Sequence, residues 1–209
     1  VTDRGVATSF GDGPPAGSAP AGLAAPIVNV SGTPDHRGYR MVGADGGVFS
    51  FGDAAFYGST GNIKLNQPVI ALAPTPTLRG YWLVAEDGGV FSFGDAKFFG
   101  STGAMKLNQP IVGITATPTG QGYRLVAADG GIFDFGDAAY EGSTGAKKLN
   151  QPIVDMVPTP SGKGYDLIAA DGGVFSFGDA KFLGSTGAIK LAQPIIAATM
   201  SPTGNGYYM

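Results

Sequence analysis

The chain repeats itself. Gly-Tyr occurs at Gly38-Tyr39, Gly80-Tyr81, Gly122-Tyr123, Gly164-Tyr165 and Gly206-Tyr207, always 42 residues apart, and a long signature follows each of the first four. The second copy reads GYWLVAEDGGVFSFGDAKFFGSTGAMKLNQPIVGITATPTGQ from Gly80 to Gln121. Self-similarity at this spacing marks architectures in which one supersecondary unit buries its faces against its neighbours.

Each period reads as four short strands, which we label A to D. In the third copy, Pro110–Thr117 is β-branched and ends at Pro118-Thr119-Gly120, and Tyr123–Ala128 runs to Asp129-Gly130. Ile132–Phe135 then ends at Gly136-Asp137, and Ala138–Glu141 ends at Gly142-Ser143-Thr144-Gly145. Asp-Gly between two apolar runs is a strong hairpin signal, and its two-residue form needs positive φ at both central residues. Four antiparallel strands in about 42 residues make one propeller blade. The sequence therefore predicts an all-β fold, a five-bladed β-propeller of four-stranded antiparallel blades.

Blades one to four are expected at about 26–67, 68–109, 110–151 and 152–193, within a single domain of residues 1–209. The fifth combines 194–209 with 1–25. The chain stops at Gly206-Tyr207-Tyr208-Met209, midway through strand B, and starts with Val1–Asp12, which resembles the end of B followed by C. Gly17-Ser18 stands in the Gly-Ser-Thr-Gly slot and Pro26 in the Gln-Pro slot. A blade shared between the termini closes the ring and removes exposed sheet edges. Face-to-face stacking should bury both Val90-Phe91-Ser92-Phe93 and Lys97-Phe98-Phe99. The inner series Asn29, Ala71, Gly113, Asp155, Ala197 is small, as crowding near an axis requires.

Composition narrows the function classes. The 36 glycines and 15 prolines would suit a disordered chain, but 43% hydrophobic and only 14% charged residues do not, so the glycines must be turn punctuation. A net charge of −3 without any basic block argues against nucleic-acid binding. No apolar run approaches the roughly 18 residues of a membrane span. The absence of Cys removes thiol nucleophiles, disulfides and thiolate metal sites. The one histidine, His36, sits in a polar loop without triad partners. No targeting segment is recognisable, and the abrupt start at Val1 is expected of a trimmed or mature product.

Repeated acids read as turn residues. Asp45, Asp87, Asp129 and Asp171 precede glycine at the hairpin, and Asp12, Asp53, Asp95, Asp137 and Asp179 follow Phe-Gly at a second turn. Calcium wants about six to eight oxygens, and no loop of alternating acidic ligands is present, so neither metal nor cofactor is expected. Glycoside hydrolysis needs two converging carboxylates. Only Asp155 interrupts the inner small-residue series, which places a hydrolase third among the readings and favours a non-enzyme. The tyrosines from Tyr39 to Tyr207 and the strand C phenylalanines read as inter-blade core rather than a sugar-stacking platform.

Binding residues are best sought in the linker from D to the next A. It reads Lys64-Leu65-Asn66-Gln67-Pro68, Lys106-Leu107-Asn108-Gln109-Pro110, Lys148-Leu149-Asn150-Gln151-Pro152 and Lys190-Leu191-Ala192-Gln193-Pro194. The amides of Asn66, Gln67, Asn108, Gln109, Asn150, Gln151 and Gln193 offer donor and acceptor together, which suits sugar hydroxyls. Their other possible role is to tie blades together through the backbone. The fifth copy, Gly22–Pro26, has lost these polar groups. The residue after the repeated tyrosine varies as Arg40, Trp82, Arg124, Asp166 and Tyr208, which suggests a solvent-facing rim; Trp82 there would either stack on a ligand or pack within its blade.

From Gly80 to Gly103, GYWLVAEDGGVFSFGDAKFFGSTG resembles a repeat of secreted and cell-surface actinobacterial proteins, often appended to hydrolase or peptidoglycan-acting domains. The resemblance covers blades one to four and, loosely, the split blade. It implies an accessory role in a secreted or cell-surface protein with further domains. The five-bladed architecture is also similar to that of tachylectin-type lectins, a likeness of fold. The leading expectation is a monomeric, non-catalytic module that binds a glycan or cell-wall polymer, without nucleic acid or membrane insertion. A structural or protein-interaction platform is the alternative.

Overall fold

A computed structural model describes residues 1–9, 17–201 and 203–209. Phe10, Gly11 and Asp12, expected at a strand C and its turn, lie outside the described residues. The chain forms two compact units, Val1–Phe98 and Phe99–Met209.

Among the described residues every regular element is a strand. In the first unit, β1 (Ile27–Gly32), β2 (Gly38–Gly43) and β3 (Val48–Gly52) form one antiparallel sheet, and β4 (Val69–Pro74), β5 (Gly80–Ala85) and β6 (Val90–Gly94) form another. The second unit repeats this with β7 (Ile111–Ala116), β8 (Gly122–Ala127) and β9 (Ile132–Gly136), then β10 (Ile153–Pro158), β11 (Gly164–Ala169) and β12 (Val174–Gly178). A two-stranded sheet of β13 (Thr199–Met200) and β14 (Tyr207–Tyr208) follows. In the four full repeats strands A, B and C thus appear where the repeat places them, whereas residues 1–9, expected at the end of a strand B and at a strand C, form no strand. β1, β4, β7 and β10 each carry a register shift at the start, between Ile27 and Asn29, Val69 and Ala71, Ile111 and Gly113, and Ile153 and Asp155, so Asn29, Ala71, Gly113 and Asp155 follow a β-bulge.

The B–C hairpin differs in type from the expectation. Gly46, Gly88, Gly130 and Gly172 have positive φ, near 75°, whereas the preceding aspartates do not. The Gly46 amide donates to Gly43 O, and Gly43 donates to Gly47 O, as in a type I turn closed by a left-handed glycine. Asp45 Oδ1 accepts from the Gly47 amide at 2.9 Å, and Asp87, Asp129 and Asp171 do the same. The aspartate therefore acts through its side chain, not through a left-handed backbone.

Strand B is the centre of each blade, buried at every position in β5, β8 and β11. Covered on both faces, it carries the near-continuous apolar run that such a position needs. In the first unit Val42 and Val48 pack with Val69, Leu72, Tyr81 and Leu83 of the next sheet. In the second, Val126 packs with Ile153, Met156, Tyr165, Leu167 and Ala169.

Among the described residues the expected strand D does not form, and the sheets of the four full repeats are three-stranded. The backbone of this segment is held by side chains instead. In the first unit, Arg40 Nε donates to Ala55 O at 2.9 Å and Trp82 Nε1 to Lys97 O at 2.8 Å. Tyr81 Oη accepts from Tyr57 N at 3.1 Å and donates to Gly58 O at 2.6 Å. These bonds satisfy groups that a ladder would use, so no fourth strand is required. Burial also ends here: Lys97 and Phe98 are exposed and Phe99 is half-buried, contrary to the expectation for that run.

The N-terminal segment takes up the contacts of a preceding blade. Ala19 N donates to Gly5 O as Thr60 N does to Gly46 O, and Ile27 N donates to Asp3 O as Val69 N does to Ala44 O. Tyr39 Oη donates to Gly17 O as Tyr81 Oη does to Gly58 O. A Cβ on Gly17 would fall 2.1 Å from Phe51, as one on Gly58 would fall 2.4 Å from Phe93. Gly17 thus does occupy the Gly-Ser-Thr-Gly slot.

Candidate functional site

The D-to-A linkers are anchored at both ends. Leu65 packs against the first unit's core and Leu149 against the second's. At the other end, Glu86 N donates to Pro68 O and Val69 N to Ala44 O, each at 2.9 Å. The second unit repeats these bonds, from Ala170 N to Pro152 O and from Ile195 N to Ala170 O, again at 2.9 Å.

Between the anchors the chain turns outward. Asn66, Gln67, Asn108, Gln109, Asn150, Gln151 and Gln193 are all exposed, as are Lys64, Lys106, Lys148 and Lys190. Among the described residues none of these amides joins a hydrogen bond, so the blade-tying role is not the one they play here. Rigid flanks that present free amides resemble a preorganised polar site.

Each of these repeats also exposes one aromatic ring on the D segment. Phe56, Phe98, Tyr140 and Phe182 are 57%, 60%, 62% and 61% exposed. Their spacing was visible in the sequence, but the assignment of D to a buried strand hid them.

Trp82 lies elsewhere. It is fully buried, with its indole nitrogen bonded to Lys97 O, so it packs within its blade and offers no face to a ligand. The rim expected at this position is corrected likewise, since Arg40, Arg124 and Asp166 are at most 2% exposed and only Tyr208 is open. Each type finds a partner: Arg40 lies 5.3 Å from the Tyr81 ring centroid, and Asp166 Oδ1 accepts from Ser176 Oγ at 2.5 Å.

Of the repeated tyrosines, Tyr39 and Tyr207 are half-buried and the other three are core. Tyr81, Tyr123 and Tyr165 are fully buried, and burial pushes the Tyr165 hydroxyl up to about 12. Asp155 Oδ2 accepts from Ala198 N and Oδ1 from Met156 N, both at 2.8 Å; burial raises its pKa and these bonds oppose the rise. The second aspartate series pins the A–B turn, Asp95 accepting from Thr75 and Thr77, and Asp179 from Thr159 and Ser161. Those bonds hold the Asp179 carboxyl below its ordinary value. Among the described residues no three His, Asp or Glu side chains converge in metal-holding geometry. His36 is exposed at a left-handed turn position, φ 59°.

No protein-family model and no curated protein matches the chain. Among solved structures it is similar to the Cps50 (Swd1) β-propeller domain of Myceliophteria thermophila, with TM-score 0.57 and 11% identity over 87% of this chain and 61% of that one. It is also similar to a structural genomics protein of unknown function from Bacteroides thetaiotaomicron VPI-5482, with TM-score 0.55 and 12% identity over 84% of this chain and 54% of that one. The fold is that of an all-β propeller. The chain thus spans little more than half the length of these neighbours.

Proposed function

We propose that the chain is a non-catalytic module of a secreted or cell-surface protein that binds a carbohydrate or cell-envelope glycan at repeated sites. The observation that carries this reading is the recurrence, in successive repeats, of outward-facing amides on linkers anchored at both ends. The exposed ring of each D segment adds an apolar face of the kind that packs against sugar rings. Several weak sites on one chain suit a polymer, because linked sites raise avidity without new contacts. A non-catalytic role is supported by Asp155, whose two oxygens are both engaged by backbone amides. The same reading takes the propeller as five-bladed, its last blade shared between 194–209 and 1–25. The blade-like contacts of the N-terminal segment support that closure.

Titration with soluble peptidoglycan fragments and chitooligosaccharides tests the function. Saturable binding at more than one site is expected, weakened stepwise as Asn66/Gln67, Asn108/Gln109 and Asn150/Gln151 are replaced by alanine. No binding at millimolar ligand, or one asymmetric protein footprint in its place, overturns the reading.

A further inference from the structure

One position breaks the symmetry of the repeats, and a cavity opens beside it. In the third repeat Arg124 fills the space beside strand B. Its Nη2 donates to Ala139 O at 3.0 Å and to Gly162 O at 3.2 Å, and its guanidinium lies 5.4 Å from the Tyr165 ring centroid. Nε stands 3.1 Å from Asp134 Oδ1. One period on, the corresponding residues are Asp166, Lys181, Gly204, Tyr207 and Ser176. Asp166 is too short to span the gap, and a cavity of about 260 Å³ remains, lined by Asp166, Lys181 and Gly204 among others.

The carbonyls that Arg124 satisfies in one repeat have no such donor in the next. Neither the Lys181 nor the Gly204 carbonyl accepts a hydrogen bond among the described residues. Asp166 is 1% exposed; Oδ1 accepts from Ser176 Oγ, while Oδ2 accepts nothing from the described residues. Of the other charges on the wall, Asp179 already accepts from Thr159 and Ser161. Lys181 forms no ion pair with Asp166 among the described residues.

We infer that this cavity receives the guanidinium group of an arginine side chain presented by a ligand. A planar fork of donors can bridge a carboxylate and neighbouring carbonyls, as an ammonium point charge cannot. An ionised guest also compensates the buried Asp166 charge, which otherwise carries a desolvation penalty. The volume lies below the roughly 300–1,000 Å³ of sites for whole small molecules, which fits one side-chain head group. The site is single and separate from the repeated linkers, so it stands or falls independently of glycan binding.

An NMR titration of the full chain with N-acetyl-L-arginine amide tests the inference, with the neutral, nearly isosteric N-acetyl-L-citrulline amide as control. Saturable shifts are expected around Asp166, Ser176, Lys181 and Gly204, with the citrulline compound and Asp166→Asn each weakening binding by about tenfold or more. Asp166→Arg should fill the cavity from within, abolishing binding while the melting temperature holds or rises. No saturable binding to the wild-type chain, equal binding of the citrulline compound, unchanged affinity in Asp166→Asn, or binding retained by a folded Asp166→Arg would each overturn it.

Discussion

In the third repeat the residue after the tyrosine reaches across to the neighbouring turn, and in the fourth it stops short. Arg124 is enclosed by Ala139 O, Gly162 O, Asp134 and the Tyr165 ring. Among the described residues the Asp166 carboxylate hydrogen-bonds to Ser176 alone, beside a cavity. The backbone frames match, from the five-residue pairing of β8 with β9 to that of β11 with β12. Repetition therefore sets the scaffold, while one side chain decides whether a repeat is closed or has room for a guest.

The largest expected effect lies on the closed side. Arg124→Ala leaves Asp134 without its cation and two carbonyls without a donor, and should cost about 3 kcal/mol in chemical denaturation. A loss no greater than that of a surface substitution would break the comparison. On the open side, Asp166→Arg combined with Ser176→Asp recreates the third repeat's partners. It should stabilise by about 1 kcal/mol, measured in the same way.

The smallest effect is a pH dependence. Burial raises the Asp166 carboxyl above its ordinary value, and the Ser176 bond only partly offsets this. The folded state therefore holds this proton more tightly than the unfolded chain. Its contribution is fully present below the unfolded pKa and is lost as pH rises through the raised folded value. The melting temperature of the wild type relative to Asp166→Asn should thus rise as pH falls from about 7 to about 4. Asp179 shifts the opposite way and lines the same cavity with Lys181, and Tyr207 lies close enough to Asp166 to feel its charge, but these groups are common to both proteins and cancel in the difference. A flat difference would show that the Asp166 environment is not that of a buried carboxyl.

Much of the fold is legible in the sequence because strands A to C follow local rules. Gly-Tyr opens strand B, Asp-Gly marks the hairpin, and Phe-Gly-Asp ends strand C, each within a residue or so of the observed bounds. Strand D was not legible, since its polar groups are claimed by Arg40, Trp82 and Tyr81, residues distant in sequence that no local pattern connects to it. Variation after the tyrosine suggested exposure for a related reason. In the four three-stranded sheets strand B is covered on both faces, so Arg40, Trp82, Arg124 and Asp166 are all buried there, each with a different partner. The linker amides were legible as candidates from Asn66-Gln67 onward, but only the structure shows them facing outward.

A crystal structure with a bound peptidoglycan fragment tests the account most directly. It should show the sugar against the Asn-Gln linkers of more than one repeat, with hydrogen bonds to pairs such as Asn108 and Gln109. Sugar bound at a single asymmetric place away from every linker would contradict the reading of this chain as a repeated-site module.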